Sequence, residues 1–268
     1  MRGAVMNGDD RWSDVQAQYS GALPRVEIIV QDVNGAKIAR EEGADRVELC
    51  TAMGATGGIT PSFGLVQLCS HVGIRLGVQA RIRSRGGNYV YDEEERRVML
   101  ADVRSSILAG ASGVVVGALD RYGRVDLDFA KRLYGAAKDE GARCARNVSV
   151  TFNRAFDMVD DQFKALDQLL DIGYTRVLTS GGADNVEDGL GRLRDLVGHA
   201  SGRIDVMACG RITPELVRPV LDTGVPSIHL SARCIISSDG GPGGSGDDPV
   251  IERTDRDWVR AVVRAVRS

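Results

Sequence analysis

From Arg25 onward, short β-branched runs alternate with longer segments of helical period, and this alternation restricts the chain to βα units around a parallel sheet. The runs fall at 26–30, 46–49, 75–82, 113–116, 147–152, 176–179, 205–208 and 227–230, eight in all. Between them the segments 35–42, 93–109, 126–141, 162–172 and 214–223 are amphipathic. Gly43, Gly110, Gly141, Gly173 and Gly224 follow at positions where a helix C-cap needs positive φ. Eight such units close a barrel, and 268 residues is the length such a barrel takes, about 250. The rival, a doubly wound open sheet for dinucleotides, calls for GxGxxG after the first strand, and none follows it. The expectation is one α/β domain, a (β/α)8 TIM barrel over 24–268. A mobile N-terminal tail at 1–23 precedes it, and a flexible glycine-rich loop at 237–248 interrupts it.

Composition narrows the partners. The net charge is −3 and no block of Lys and Arg stands out, which argues against nucleic acid. The five cysteines are odd in number, widely spaced and without a CxxC pair, as expected of reduced thiols in a cytoplasmic protein. No run of about 18 apolar residues suggests a membrane span. The first 23 residues lack the apolar core of a signal peptide.

In a barrel the chemistry sits at the C-terminal strand ends and in the loops that follow. Glu48 and Cys50 share one face of the second strand; facing inward, they place a carboxylate and a thiol at the mouth. Glu48 is either a working group or the partner of a buried arginine. Arg81, Arg83 and Arg85 recur at period two, which calls for carboxylates, such as Glu27 and Glu48, or an anionic ligand; Arg83 and Arg85 are expected nearest that ligand. After the fifth strand come Asn153, Arg154 and Asp157, the last a general base, a metal ligand or the N-cap of the next helix. Glu48, Arg83, Arg85 and Arg154 are expected to converge at one end of the barrel. The small residues after strands six to eight, with Ser180, Gly181, Gly210 and Arg211, suit an anion held by backbone N–H groups. Glycine there also has a purely steric use. Among three histidines none has HxH or HExxH spacing, and His229 is either a core residue or a ligand. Cys50 is the best candidate for a soft metal such as Cu(I).

The segments 43–50, 57–62, 82–87, 151–157 and 176–181, in that order, resemble the CutC family of copper homeostasis proteins, and the likeness runs from about Val26 to Arg233. The resemblance implies a TIM barrel, a cytoplasmic location, a role in copper homeostasis with Cu(I) as ligand, and homo-oligomers. Glu48, Cys50, Arg83, Arg85, Arg154 and Asp157 match the family motifs. Ile29, Asn88 and Asn153 stand where the family pattern has a cysteine, an aspartate and a histidine. Losing a thiol, a carboxylate and an imidazole leads us to expect weakened copper binding. The alternative is a barrel enzyme acting on a small anionic substrate such as a phosphorylated one.

Overall fold

The computed structural model describes residues 23–237 and 250–268. The tail at 1–22 and the expected loop, apart from Ser237, lie outside the described residues. Strands β1 (Arg25–Val30), β2 (Arg46–Leu49), β3 (Val78–Arg81), β4 (Gly113–Val116), β5 (Ser149–Phe152), β6 (Arg176–Thr179), β7 (Asp205–Ala208) and β8 (Ser227–Leu230) close a parallel barrel in sequence order. β8 returns to β1 with Glu27 opposite His229, while β1 meets β2 with Glu27 opposite Arg46 and Ile29 opposite Glu48.

The connecting helices are α1 (Val33–Glu41), α2 (Phe63–Ser70), α3 (Glu93–Leu108), α4 (Leu127–Arg143), α5 (Gln162–Ile172), α6 (Leu190–Ala200) and α7 (Val217–Leu221), with α8 (Arg256–Arg267) after the last strands. An acidic or hydroxyl cap starts most of them. Asp32, Ser62, Asp126, Asp161 and Asp255 each accept a backbone N–H of the first turn, and Asp92 forms a reciprocal capping box with Glu95. Gly43, Gly110, Gly173 and Gly224 take the positive φ expected of them. Gly141 does not, because α4 runs on to Arg143 and Ala145 makes the left-handed turn instead. Past β8 the chain forms an antiparallel pair, β9 (Arg233–Ser237) with β10 (Val250–Thr254), strands that the sequence reading did not assign.

Two interiors result from the alternation along the strands. Val26, Ile28, Val47, Leu49, Val78, Val114, Val150, Val177, Val206 and Ile228 are all buried against the helices and form the main apolar core. Their neighbours fill the inside of the barrel, and these are mostly polar: Glu27, Arg46, Glu48, Gln79, Arg81, Thr151, Arg176, Asp205, Ser227 and His229, every one buried. Barrel interiors are ordinarily filled by Val, Ile and Leu. Here ion pairs and hydrogen bonds fill them, and only Leu178, Met207 and Cys209 form a small apolar cluster of their own.

Candidate functional site

The interior network forms the floor of the site. Arg46 Nε lies 2.9 Å from Glu27, and Arg176 Nε lies 2.9 Å from Asp205. Arg176 also donates to Thr151 Oγ1 at 2.7 Å, and Ser227 Oγ donates to Asp205 at 2.6 Å. Burial alone would raise the Glu27 pKa, but Arg46, His229 and Arg176 outweigh it and hold the carboxyl down at about 2. His229 sits between two carboxylates, with Nδ1 2.8 Å from Glu27 and Nε2 3.3 Å from Glu48. Glu48 pairs with Arg81 and leaves Oε2 without a hydrogen bond. Arg81 in turn reaches the carbonyl of Gly57 and passes so close to Gly58, at φ +90°, that a Cβ there would stand 2.4 Å from its Nη1.

Glu27, Glu48 and His229 bring three ligand atoms together as a metal site would. Their chemistry fits a cation poorly, since Arg46 and Arg81 already neutralise both carboxylates.

Above this floor, at the C-terminal strand ends, opens a chamber of about 690 Å³. Its walls include Ile29, Met53, Arg81, Arg83, Tyr89, Asn153, Arg154, Leu178, Cys209, Gly210, Arg211, His229, Arg233 and Trp258, with no carboxylate among the lining residues. Arg83 is buried and held by neutral groups: Nη1 donates to Thr56 O at 2.9 Å, Nη2 to Gly87 O, and the guanidinium carbon lies 4.9 Å from the centre of the Tyr89 ring. Asn153 caps the 3-10 turn Arg154–Met158, its Oδ1 accepting from Ala155 N at 2.9 Å. Five buried side-chain polar atoms lack hydrogen-bond partners among the described residues: Glu48 Oε2, Arg83 Nε, Ser84 Oγ, Tyr91 Oη and Trp258 Nε1. Glu48, Arg83 and Trp258 belong to the floor or walls of this mouth, and unmet polar groups in such a place mark a working site rather than scaffold.

Several expectations need correcting. Arg85 is not nearest a ligand. β3 ends at Arg81, so the period-two face does not extend to residue 85, and Arg85 pairs with Glu95 at the start of α3 and with the carbonyls of Gly86, Asn88 and Val90. Asp157 does not cap the next helix; Asp161 does. The loop after β6 does not hold its amides open for an anion, because Asp157 fills that place. Its carboxylate accepts from Ser180 N at 3.0 Å, Ser180 Oγ at 3.0 Å, Gly182 N at 3.2 Å, Arg154 Nε at 2.8 Å and the Thr179 hydroxyl. Gly181 N is spent on Thr179 Oγ1 at 2.9 Å. Gly210 and Arg211 remain on the chamber wall.

Cys50 lies just past β2, fully buried, with Sγ 4.0 Å from Met53 Sδ. Burial pushes its thiol up to about 12, Arg81 opposing and Glu48 adding to the effect. Burial likewise raises the Cys209 thiol. The short helical turn Met53–Thr56 is pinned from the far side of the sequence. Gln31 Oε1 takes Met53 N at 2.8 Å, while Glu252 of β10 takes Gly54 N at 3.0 Å and the Gln31 amide at 2.7 Å and pairs with Arg233. Sequence reading did not single out Met53, Tyr89 or Trp258, nor the floor residues Arg46, Arg176 and Asp205. For the floor the signal was present as charge recurring at alternate strand positions.

Comparison with known proteins agrees with this geometry. The sequence profile of the CutC family matches residues 24–234. A CutC family protein of Aliivibrio fischeri strain MJ11 is 34% identical over 252 residues, covering 91% of this chain and 99% of that one. The human "Copper homeostasis protein cutC homolog" is 41% identical over 209 residues, 78% of this chain and 73% of its own. The crystal structure of a copper homeostasis protein CutC from Streptococcus agalactiae superposes with a TM-score of 0.71 at 28% identity, covering 78% of this chain and 99% of that chain. With its barrel, its motifs and these relatives in agreement, the chain belongs to the CutC family.

Proposed function

We propose that this protein serves copper homeostasis and engages Cu(I) weakly, through Cys50 assisted by Met53, at the edge of the barrel chamber. The naming of the human and mouse relatives supports the role. The observation that carries the site is the sulfur pair. Two sulfur atoms that share one ion, each at about 2.3 Å, can stand no more than about 4.6 Å apart; Cys50 Sγ and Met53 Sδ are 4.0 Å apart. A thiol and a thioether are the soft donors Cu(I) prefers. Weakness follows from what is missing: Ile29 lines the same chamber where the family pattern has a second thiol, and the Asn153 side chain offers an amide where it has an imidazole.

Titration of the protein against a competing Cu(I) chelator tests this reading. The expected result is one weak equivalent that Cys50→Ala removes and Met53→Leu weakens. Binding that survives in Cys50→Ala, or tight binding indifferent to Met53→Leu, overturns it.

The location and assembly expected of the family belong to the same proposal. Free thiols at all five cysteines suit a cytoplasmic protein. No helix among the described residues is long and apolar enough to cross a membrane. Ile236 and Ile251, opposite each other across β9 and β10, stand exposed on one face of the pair, a face suited to a homo-oligomer, which sedimentation of wild type against Ile236→Asp tests.

A further inference from the structure

We infer that the chamber is a binding site for a small organic carboxylate, held by Arg83 with Asn153 and Arg154, and that this site is independent of the copper reading. Three features of the walls lead there.

The first is charge. Arg81, Arg154 and Arg233 each have a carboxylate partner, Glu48, Asp157 and Glu252 respectively. Arg83 has none among the described residues, although it is 94% buried by its 6% exposure. Two carbonyls, an aromatic ring and the Tyr91 hydroxyl beside it orient it, yet none of these neutral groups cancels a cation. A buried guanidinium without a counter-ion is costly, and the cost is relieved when an anion arrives.

The second is the kind of donor left over. Asn153 commits its oxygen to Ala155 N, which fixes the amide orientation and leaves its Nδ2 without a bond among the described residues. Arg154 uses Nε on Asp157 and Nη2 on Ser180 and Ala183, leaving Nη1. Trp258 Nε1 has no hydrogen-bond partner among the described residues. Among the charged and amide side chains of the lining the unspent atoms are thus donors, and no wall carboxylate competes for them. Such a set recognises an acceptor-only, negatively charged group.

The third separates carboxylate from phosphate. A barrel that binds phosphate commonly offers the backbone amides of its late loops. Here the amides of the loop after β6 are closed by Asp157, and from the loop after β7 Gly210 and Arg211 line the chamber. The side-chain donors are planar guanidinium and amide, matched to a planar carboxylate, beside apolar wall from Ile29, Leu178, Ile212, Leu230 and Trp258 for the organic part of the ligand. A volume of about 690 Å³ admits a small molecule whole.

Thermal unfolding of the full chain with sodium malonate, succinate, benzoate, phosphate or chloride, at constant ionic strength, provides the test. Calorimetric titration then measures Kd for any anion that raises Tm. At least one carboxylate is expected to raise Tm in a saturable way and to bind at least about tenfold tighter than phosphate. Arg83→Gln is expected to weaken that binding about tenfold or more, and Arg83→Lys to recover only part, since a lysine lacks the fork. Should Arg83→Gln not fold, Asn153→Asp gives the answer: it keeps the cap on Ala155 while turning a donor into a negative charge, and it is expected to abolish the response. Equal shifts by all anions, tighter binding of phosphate, or full carboxylate binding in Asn153→Asp overturns the proposal.

Discussion

Removing the Asp157 carboxylate tests whether the protein supplies its own anion to the loop after β6. In Asp157→Ala the amides of Ser180 and Gly182 lose their acceptor, as do two hydroxyls and Arg154 Nε. Arg154 is 39% exposed and finds water, so its loss costs little. Gly182 is exposed and its amide also finds water, so the buried Ser180 amide dominates. A buried donor left unpaired costs about 1–3 kcal/mol, which sets the loss. For a domain of this size each kcal/mol moves Tm by about 2–4 °C, which predicts a fall of roughly 2–12 °C in a circular dichroism melt. The space left has the shape and donors of a carboxylate. Formate should therefore refill it and restore part of the lost Tm, saturably, while formamide should not. The wild type, with Asp157 in place, should respond far less. A loss below about 1 kcal/mol, or identical formate responses in both proteins, would refute the reasoning.

The interior network yields further expectations. Glu27 is held at about 2 against an ordinary 4.5, so its contribution to stability is complete above pH 4.5 and drains away as pH falls toward 2, about 3 kcal/mol in all. Urea unfolding across that range should show the decline, and Glu27→Gln should flatten it while lowering stability at pH 7. Arg176→Met leaves Asp205 without its closest cation and should cost about 3–5 kcal/mol by urea unfolding, whereas Arg176→Met with Asp205→Leu should regain most of the loss. Gly113 faces Gln79 and Ser149 across β4, where a Cβ would stand 2.2 Å from Gln79 Oε1 and 2.2 Å from Ser149 Oγ. Gly113→Ala should break their 2.6 Å hydrogen bond and cost about 1–3 kcal/mol in the same assay.

The helix-facing half of each strand was legible because it obeys a local rule. Val26, Ile28 and Val30 alternate with their neighbours, as do Val47 and Leu49, and such runs announce strands whatever lies around them. The barrel-facing half broke a rule instead. Strands buried on both faces should read as continuous apolar runs, yet Glu27, Arg46, Glu48, Gln79, Arg81, Arg176, Asp205 and His229 punctuate them. That violation is the signal of a polar interior; of the pairings only Glu48 with an arginine of the third strand was anticipated, and it is Arg81. Closure of the barrel sets the rest, bringing Glu27 to His229 across 202 residues of sequence. The Arg85 expectation failed for a related reason: period two holds only inside a strand, and β3 stops four residues earlier. Asp157 was hidden because glycine-rich loops look the same whether they await a ligand or are filled by a side chain.

Once the pairings are known, the charge of the barrel can be divided by height. On the floor Glu27, Glu48 and Asp205 face Arg46, Arg81 and Arg176 in close pairs and cancel. At the loop level Asp157 answers Arg154, and Glu252 answers Arg233. Arg83 and Arg211 are left on the chamber wall with no carboxylate paired to them among the described residues. A chain whose net charge is −3 thus presents a positive field inside its mouth, and low-dielectric walls concentrate such a field on whatever enters. The fixed floor keeps that field in place. Its ion pairs are buried, with Arg81 and His229 alone among them touching the chamber, so the floor holds its shape before anything binds.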